Sequence, residues 1–320
     1  MNKISAITVF VGDPYLALTF YKSYKKFWEH EIDEFVIGIS TVKDDIAEFI
    51  SNLWLNDSKV KLFTFKNDTG YGSPNHGAIL DELVKYTKHD IVMTIDSDLF
   101  ILQKNVISDL KSKLNFYDVI GSTARRVDGD MDLIRKFQQK LGQKIGRICP
   151  CFSLCKKYFL KELKFPTYKS VFIKQQGDRF IISPDDANDR FIPFKNELWL
   201  ETMGWVTYNL LKNKAKLFEV PQSCGQYYHM TGVSMGVRKY MIDKNTNFIF
   251  DRNVADQKLP CRHIAKIYYN YVKNKNDYKN QDYYDSLMDL IKISNTSEEK
   301  LLQDKSFNFL DCIFTDILPN

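Results

Sequence analysis

Two carboxylates separated by one residue, Asp96 and Asp98, close the apolar run Val92-Met93-Thr94-Ile95. Side chains of an extended chain alternate between faces, so positions two apart can point the same way. Carboxylate oxygens are the donors that Mg²⁺ and Mn²⁺ prefer. A divalent cation held by them could neutralise the charge that develops on a diphosphate leaving group. Alone, an Asp-x-Asp triplet is a weak signal, because such triplets also occur in surface loops and at helix caps. A second segment, Gly70-Tyr71-Gly72-Ser73-Pro74-Asn75-His76-Gly77-Ala78, is rich in small residues. These could make a simple turn before a helix, or let the backbone approach a ribose or phosphate closely. Cys149-Pro150-Cys151 with Cys155 lacks the paired Cys-x-x-Cys spacing of a zinc site, and reads as an apolar strand carrying small thiols.

The elements around the acidic pair decide how far it can be trusted. Ile4–Val11, Phe35–Ile39, Val60–Phe65 and Ile91–Ile95 read as strands. Tyr15–His30, Asp44–Leu55 and Asn75–Tyr86 carry apolar residues at helical spacing, and Asp44 and Asp45 suit the positive end of the second helix. This alternation predicts βαβ units and an α/β fold with a mainly parallel central sheet. Such sheets bind ligands beyond the carboxyl ends of their strands, which is where Asp96 and Asp98 fall. After Asp98 the pattern loosens. Val106–Leu114 reads as a helix, Asp118–Ser122 as a short strand, Glu201–Leu211 as a helix and Leu217–Val220 as a strand, while residues 121–194 mix charged loops with short apolar runs. Gln175-Gln176-Gly177-Asp178 and Ser183-Pro184-Asp185-Asp186 are turn signals. Two further faces at helical spacing, around Ile264–Val272 and Tyr283–Ile291, predict a C-terminal helical appendage. The expected organisation is therefore a catalytic-type domain over 1–251, with halves 1–100 and 101–251, and the appendage over 252–320.

Composition narrows the class. With 44% hydrophobic and 14% aromatic residues the chain is globular. A net charge of +5, spread along 320 residues, is not the concentrated basic stripe of a nucleic-acid binder, so no nucleic-acid partner is expected. It suits an anionic small-molecule substrate or an anionic membrane surface. No run of about 18 apolar residues is present. Met1–Val11 reads as a first strand and not as a leader. The six cysteines are then expected as free thiols in a reducing cytoplasm. The Tyr-rich, Lys-interleaved C-terminal helices could pack on the domain, form a homodimer interface or lie peripherally on a membrane; packing is the ordinary use of such faces.

The opening strand Ile7-Thr8-Val9-Phe10-Val11, the Gly70–Ala78 segment with its Asn75-x-Gly77 element, and Ile95-Asp96-Ser97-Asp98 together resemble the GT-A-fold glycosyltransferases, the family-two-like group in particular. The resemblance covers the first hundred residues. It implies an enzyme that moves a sugar from a nucleotide-diphosphate sugar, UDP-linked as the first expectation, to the hydroxyl of a glycan or other acceptor, with Mn²⁺ or Mg²⁺ as cofactor. It implies that Asp98 binds the metal directly and that Asp96 contacts the metal or the ribose. The donor is then expected near Val11, Asp13, Ser40, Gly70, Asn75, Gly77 and Ser97. Gly12-Asp13-Pro14-Tyr15 replaces the usual Pro-x-Tyr-Asn after the first strand. Downstream, Tyr227–Ser234 is similar to the His-x-x-Gly-x-Ser element of some members, in which the histidine completes the metal site. That makes His229 the candidate third ligand, since neutral imidazole can join carboxylates on Mn²⁺, although a lone histidine is more often structural. Ser234 and Arg238 would then hold the diphosphate, Arg238 through its planar fork.

Inverting members need a base for the acceptor hydroxyl near a helix start. Glu201 fits that place, with Glu197, Asp185, Asp186 and Asp189 as rivals; a helix dipole would also favour a first-turn Glu201. Trp199 and Trp205 could stack on sugars or serve in the core. Arg125, Arg126 and Arg147 could line an acceptor pocket or be solvated. Two other classes remain open. A nucleotidyltransferase would normally carry a basic Gly-rich loop after the first strand, which Gly12–Tyr15 is not. A non-catalytic sugar-nucleotide or glycan binder on the same scaffold would have less reason to keep Asp96, Asp98, Glu201 and His229 together.

Overall fold

The computed structural model describes residues 3–10, 14–41, 44–66, 72–124, 127–129, 147–161, 168, 171–177, 179–184, 197–200, 202–221, 224 and 226–229. The parts of the expected architecture at 230–251 and the appendage at 252–320 lie outside these. Four strands open the chain: β1 (Ile4–Phe10), β2 (Glu34–Thr41), β3 (Val60–Lys66) and β4 (Ile91–Ile95). Every residue of β1 and β4 is buried. That is why both read as near-continuous apolar runs, broken only by the small polar residues Ser5, Thr8 and Thr94: parallel strands covered on two faces have no solvent side. They pair in parallel in the spatial order β4-β1-β2-β3.

Three helices link these strands: α1 (Pro14–Ser23), α2 (Asp44–Trp54) and α3 (Gly72–Lys85). Pro14 opens α1, where its missing N–H is no loss. The single helix expected over Tyr15–His30 changes pitch after Ser23, passing into a π-helical turn, Tyr24–Trp28, and a 3-10 turn, Glu29–Glu31. Lys59 Nζ donates to the carbonyls of Glu29 and Ile32 at 2.7 and 2.9 Å, satisfying that end. α3 starts three residues before the expected Asn75. Its first turn needs no intrahelical N–H, so Pro74 is tolerated there. The helices lean on an aromatic cluster in which Phe20 meets Trp28 edge-on at 5.6 Å and Phe35 meets Trp54 edge-on at 5.4 Å.

Beyond β4 the chain forms β5 (Leu99–Ile101), α4 (Val106–Lys113), β6 (Val119–Ala124), β7 (Val127–Gly129) and β8 (Arg147–Lys156). Then follow β9 (Val171–Gln176), β10 (Arg179–Pro184), β11 (Glu197–Leu200), a helix over Gly204–Lys212, β12 (Leu217–Val220) and β13 (Tyr227–His229). The central sheet has the order β12-β6-β8-β4-β1-β2-β3. It is mostly parallel, as expected, but β8 runs antiparallel between β4 and β6. The Cys149–Cys155 stretch is indeed a strand, with all three cysteines buried and in no disulfide.

Residues 121–194, expected as a mixture of loops, contribute to a second, four-stranded antiparallel sheet, β10-β9-β11-β7. Its strands are short, and β9 is buried only in its first half, so their periodicity is faint in one dimension. Gln176 pairs with Arg179 around Gly177, whose φ of 59° suits glycine in a tight hairpin.

Candidate metal centre

β4 ends at Ile95, and the acidic pair lies in the turn that follows. The Asp96 N–H donates to the Cys151 carbonyl on β8 at 3.0 Å, and the Leu99 N–H closes back onto the Asp96 carbonyl at 3.0 Å. The two carboxylates therefore converge because the chain turns, and not through the strand alternation that spacing suggested. After the turn, β5 pairs antiparallel with β13, setting His229 opposite Leu99 and Tyr227 opposite Ile101. β13 is anchored firmly: the Tyr227 hydroxyl donates to the Pro221 carbonyl at 2.7 Å, and its ring lies 5.0 Å from that of Phe152. About 130 residues of intervening chain are thus closed by a three-residue ribbon.

That ribbon brings His229 Nε2 to 3.3 Å from Asp98 Oδ1 and 3.9 Å from Asp96 Oδ2. One ligand atom from each of Asp96, Asp98 and His229 lies within 4.8 Å of the others. Asp98 and His229 are buried. Burial alone would lower the His229 pKa, but the carboxylates of Asp98 and then Asp96 outweigh it and raise the value to about 9. The two carboxylates thus favour positive charge at this position. Two carboxylates and an imidazole make a hard, mixed O/N donor set that fits Mn²⁺ or Mg²⁺ and leaves positions open for a ligand. A fourth group adjoins the cluster: His76 Nε2, from α3, lies 3.5 Å from Asp96 Oδ1.

The remaining candidates fall into three groups. Ser97 is buried within the acidic turn, Ser40 is buried at the carboxyl end of β2, and Gly77 is buried on α3, beside His76. Asn75 belongs to the first turn of α3. All of these lie at or lead from the carboxyl edge of the central sheet. Val11, Asp13, Gly70, Glu201, Ser234 and Arg238 lie outside the described residues, as do the rival carboxylates Asp185, Asp186 and Asp189. Glu197 is buried on β11, with Lys174 Nζ 3.9 Å away. Trp199 and Trp205 are buried, which places them in the core. The helix expected from Glu201 begins at Gly204. Met203 takes a left-handed φ of 67° and donates to the Tyr168 carbonyl at 2.9 Å, turning the chain sharply from β11. A Cβ on Gly204 would stand 2.7 Å from Leu200 Cβ, so the corner requires glycine.

His76 is the site residue that sequence reasoning passed over. It stands within the Gly70–Ala78 segment, but only the helical phase of α3 and the order of the strands bring it to Asp96.

No protein-family model and no curated protein sequence matches the chain. Several solved structures resemble it. Glucosyl-3-phosphoglycerate synthase of Mycobacterium tuberculosis matches at 16% identity and TM-score 0.37 over 51% of this chain; the match spans about three fifths, 60%, of that protein. S. aureus TarS, residues 1–349, matches at 13% identity and TM-score 0.43, covering 98% of this chain and 88% of that one. The mannosyltransferase PcManGT of Pyrobaculum calidifontis, in complex with GDP-Man and Mn²⁺, matches at 10% identity and TM-score 0.45, covering 98% and 86%.

Proposed function

We propose that this chain is a metal-dependent glycosyltransferase that moves a sugar from a nucleotide-diphosphate donor to an acceptor hydroxyl. The observation that carries the reading is the convergence of Asp96, Asp98 and His229 at the carboxyl end of a central parallel strand. Ligands of open α/β sheets bind at that edge. In this reading Asp98 and His229 supply the buried donors and Asp96 the half-exposed one. A bound divalent cation supplies Lewis-acid stabilisation of the leaving diphosphate. The turn that carries the carboxylates is fixed by backbone bonds to β8 and within itself, so its backbone is in place before any ligand arrives.

Further roles rest on the sequence resemblance. Ser97, Ser40, Gly77 and Asn75, with Val11, Asp13 and Gly70, contact the donor; Ser234 and Arg238 hold its diphosphate; Glu201 takes the acceptor proton, giving inversion. UDP is the first donor base to try. A glycan acceptor, and a C-terminal appendage that packs, dimerises or meets a membrane, belong to the same proposal.

Purified protein with Mn²⁺ is expected to hydrolyse a nucleotide sugar slowly across a panel of UDP-, GDP- and dTDP-sugars. Asp98→Ala should lower that turnover by roughly 100-fold or more, as removal of a stabilisation of several kcal/mol requires. Absence of both turnover and binding over the whole panel would overturn the transferase reading. An unchanged rate in Asp98→Ala would remove the metal assignment.

A further inference from the structure

Asp96 is placed differently from its two neighbours. Its carboxylate oxygens face different imidazoles: Oδ2 lies 3.9 Å from His229 Nε2, and Oδ1 lies 3.5 Å from His76 Nε2. The Asp98 and His229 side chains are each 8% exposed, whereas those of Asp96 and His76 are 21% and 19% exposed. The His76–Asp96 edge is thus the side of the cluster that solvent reaches. His76 does not belong to the three-residue group whose ligand atoms lie within 4.8 Å of one another, so it stands behind Asp96 and not in the centre itself.

The topology explains the placement. α3 returns from the carboxyl end of β3 and packs across β2 and β1 before entering β4. Its first turns therefore sit over the same edge at which β4 ends. His76, the fifth residue of α3, reaches sideways to the end of the strand that the helix itself leads into.

From this geometry we infer that His76 is a positioning residue for the metal centre: its ring holds Asp96 Oδ1, so that Oδ2 is presented toward Asp98 and His229. The inference deepens the metal-site reading of Asp96, Asp98 and His229 and rests on it. A half-exposed aspartate at the end of a strand can rotate about two side-chain bonds. A partner on one oxygen removes that freedom and keeps the other oxygen aimed at the cation. Such outer partners typically change metal affinity by about 10–100-fold. His76 also couples α3 to the acidic turn, so movement of that helix would be felt at the metal.

Titration of the intact protein with Mn²⁺ tests this, reading free Mn²⁺ by its electron paramagnetic resonance signal at one fixed pH. Wild type and Asp98→Ala bracket the scale: binding by the first and its loss in the second establish the centre. If wild type itself fails to bind Mn²⁺, the metal reading falls, and this inference with it. Given that centre, His76→Ala should bind Mn²⁺ about 10–100-fold more weakly at an unchanged melting temperature. His76→Gln, which keeps a side-chain N–H donor, should recover most of the loss. Unchanged affinity in His76→Ala would overturn the positioning role while leaving the centre intact. Tighter binding in His76→Ala would overturn it too, because it would show His76 acting as a competing positive group. Should His76→Ala fold poorly, His76→Gln against His76→Leu, compared by the same titration, carries the test: equal affinities would again overturn the role.

Discussion

At the scale of single residues, the molecule separates two uses of carboxylates. Asp96 and Asp98 are gathered with His229 at the carboxyl edge of the sheet, where two like charges brought together favour a cation between them. Glu34 does the opposite work at the amino edge. Its Oε2 accepts from Ser5 Oγ at 2.6 Å and from the Lys88 N–H at 2.8 Å, while Lys61 Nζ reaches Oε1 at 2.5 Å. Burial would raise its pKa, but these donors together outweigh it and hold the carboxyl below the ordinary glutamate range. A folded-state value below the unfolded one means that Glu34 stabilises the fold above the unfolded pKa, roughly 4.3, and that this is lost as pH falls through the folded value. Glu34→Gln should therefore cost about 1–3 kcal/mol near neutral pH. The gap to wild type should shrink below about pH 4. Urea unfolding of both proteins at several pH values measures this, and a pH-independent gap would contradict it.

Among the elements, α3 matters most to the site. It carries Asn75, His76 and Gly77, and it rests on β2 at Gly38. A Cβ there would stand 2.9 Å from Ile79 Cγ2, 3.2 Å from Leu83 Cδ1 and 3.3 Å from Phe65 Cε2. The helix can lie this close to the sheet only because position 38 has no side chain. Gly38→Ala should lift α3, costing about 1–3 kcal/mol as overpacking does. It should also weaken Mn²⁺ binding, since His76 moves with the helix; thermal unfolding and metal titration read the two effects separately. α4 shows a related economy of placement. Asn105 begins it in a left-handed conformation, and the buried Glu31 accepts the Ser108 N–H at 2.7 Å, so a residue from the α1 side supplies the missing cap.

For the molecule as a whole, β5 and β13 join chain segments far apart in sequence around the candidate centre. A ligand that binds all three side chains binds only the folded state, and so stabilises it by mass action. Mn²⁺ at about 100 times its dissociation constant should add roughly 2.7 kcal/mol and raise the melting temperature of wild type. Asp98→Ala should show no such rise, and a chelator should reverse it. Scanning fluorimetry checks this, and an equal rise in both proteins would place the stabilising cation elsewhere. Among the described residues, no helix is long and apolar enough to cross a membrane.

Much of this was legible in one dimension where periodicity is strong. Ile91–Ile95 and Leu217–Val220 stand as read; the first is buried throughout, and a buried strand needs the apolar run that the sequence writes directly. The alternation of the first hundred residues determined the mainly parallel sheet, and with it the edge at which Asp96 and Asp98 had to lie. Faint signals failed at β7, which is three residues long and pairs with the distant β11, and at β9, which is buried only in its first half. Three features belonged to the tertiary structure alone: the turn that swings both carboxylates together, the ribbon that carries His229 beside them, and the approach of His76 to Asp96. The ribbon and the approach of His76 join residues remote along the chain, and the turn is held by Cys151 on β8 as well as by its own Leu99–Asp96 bond; strand order and helix packing set these, and no local pattern encodes them.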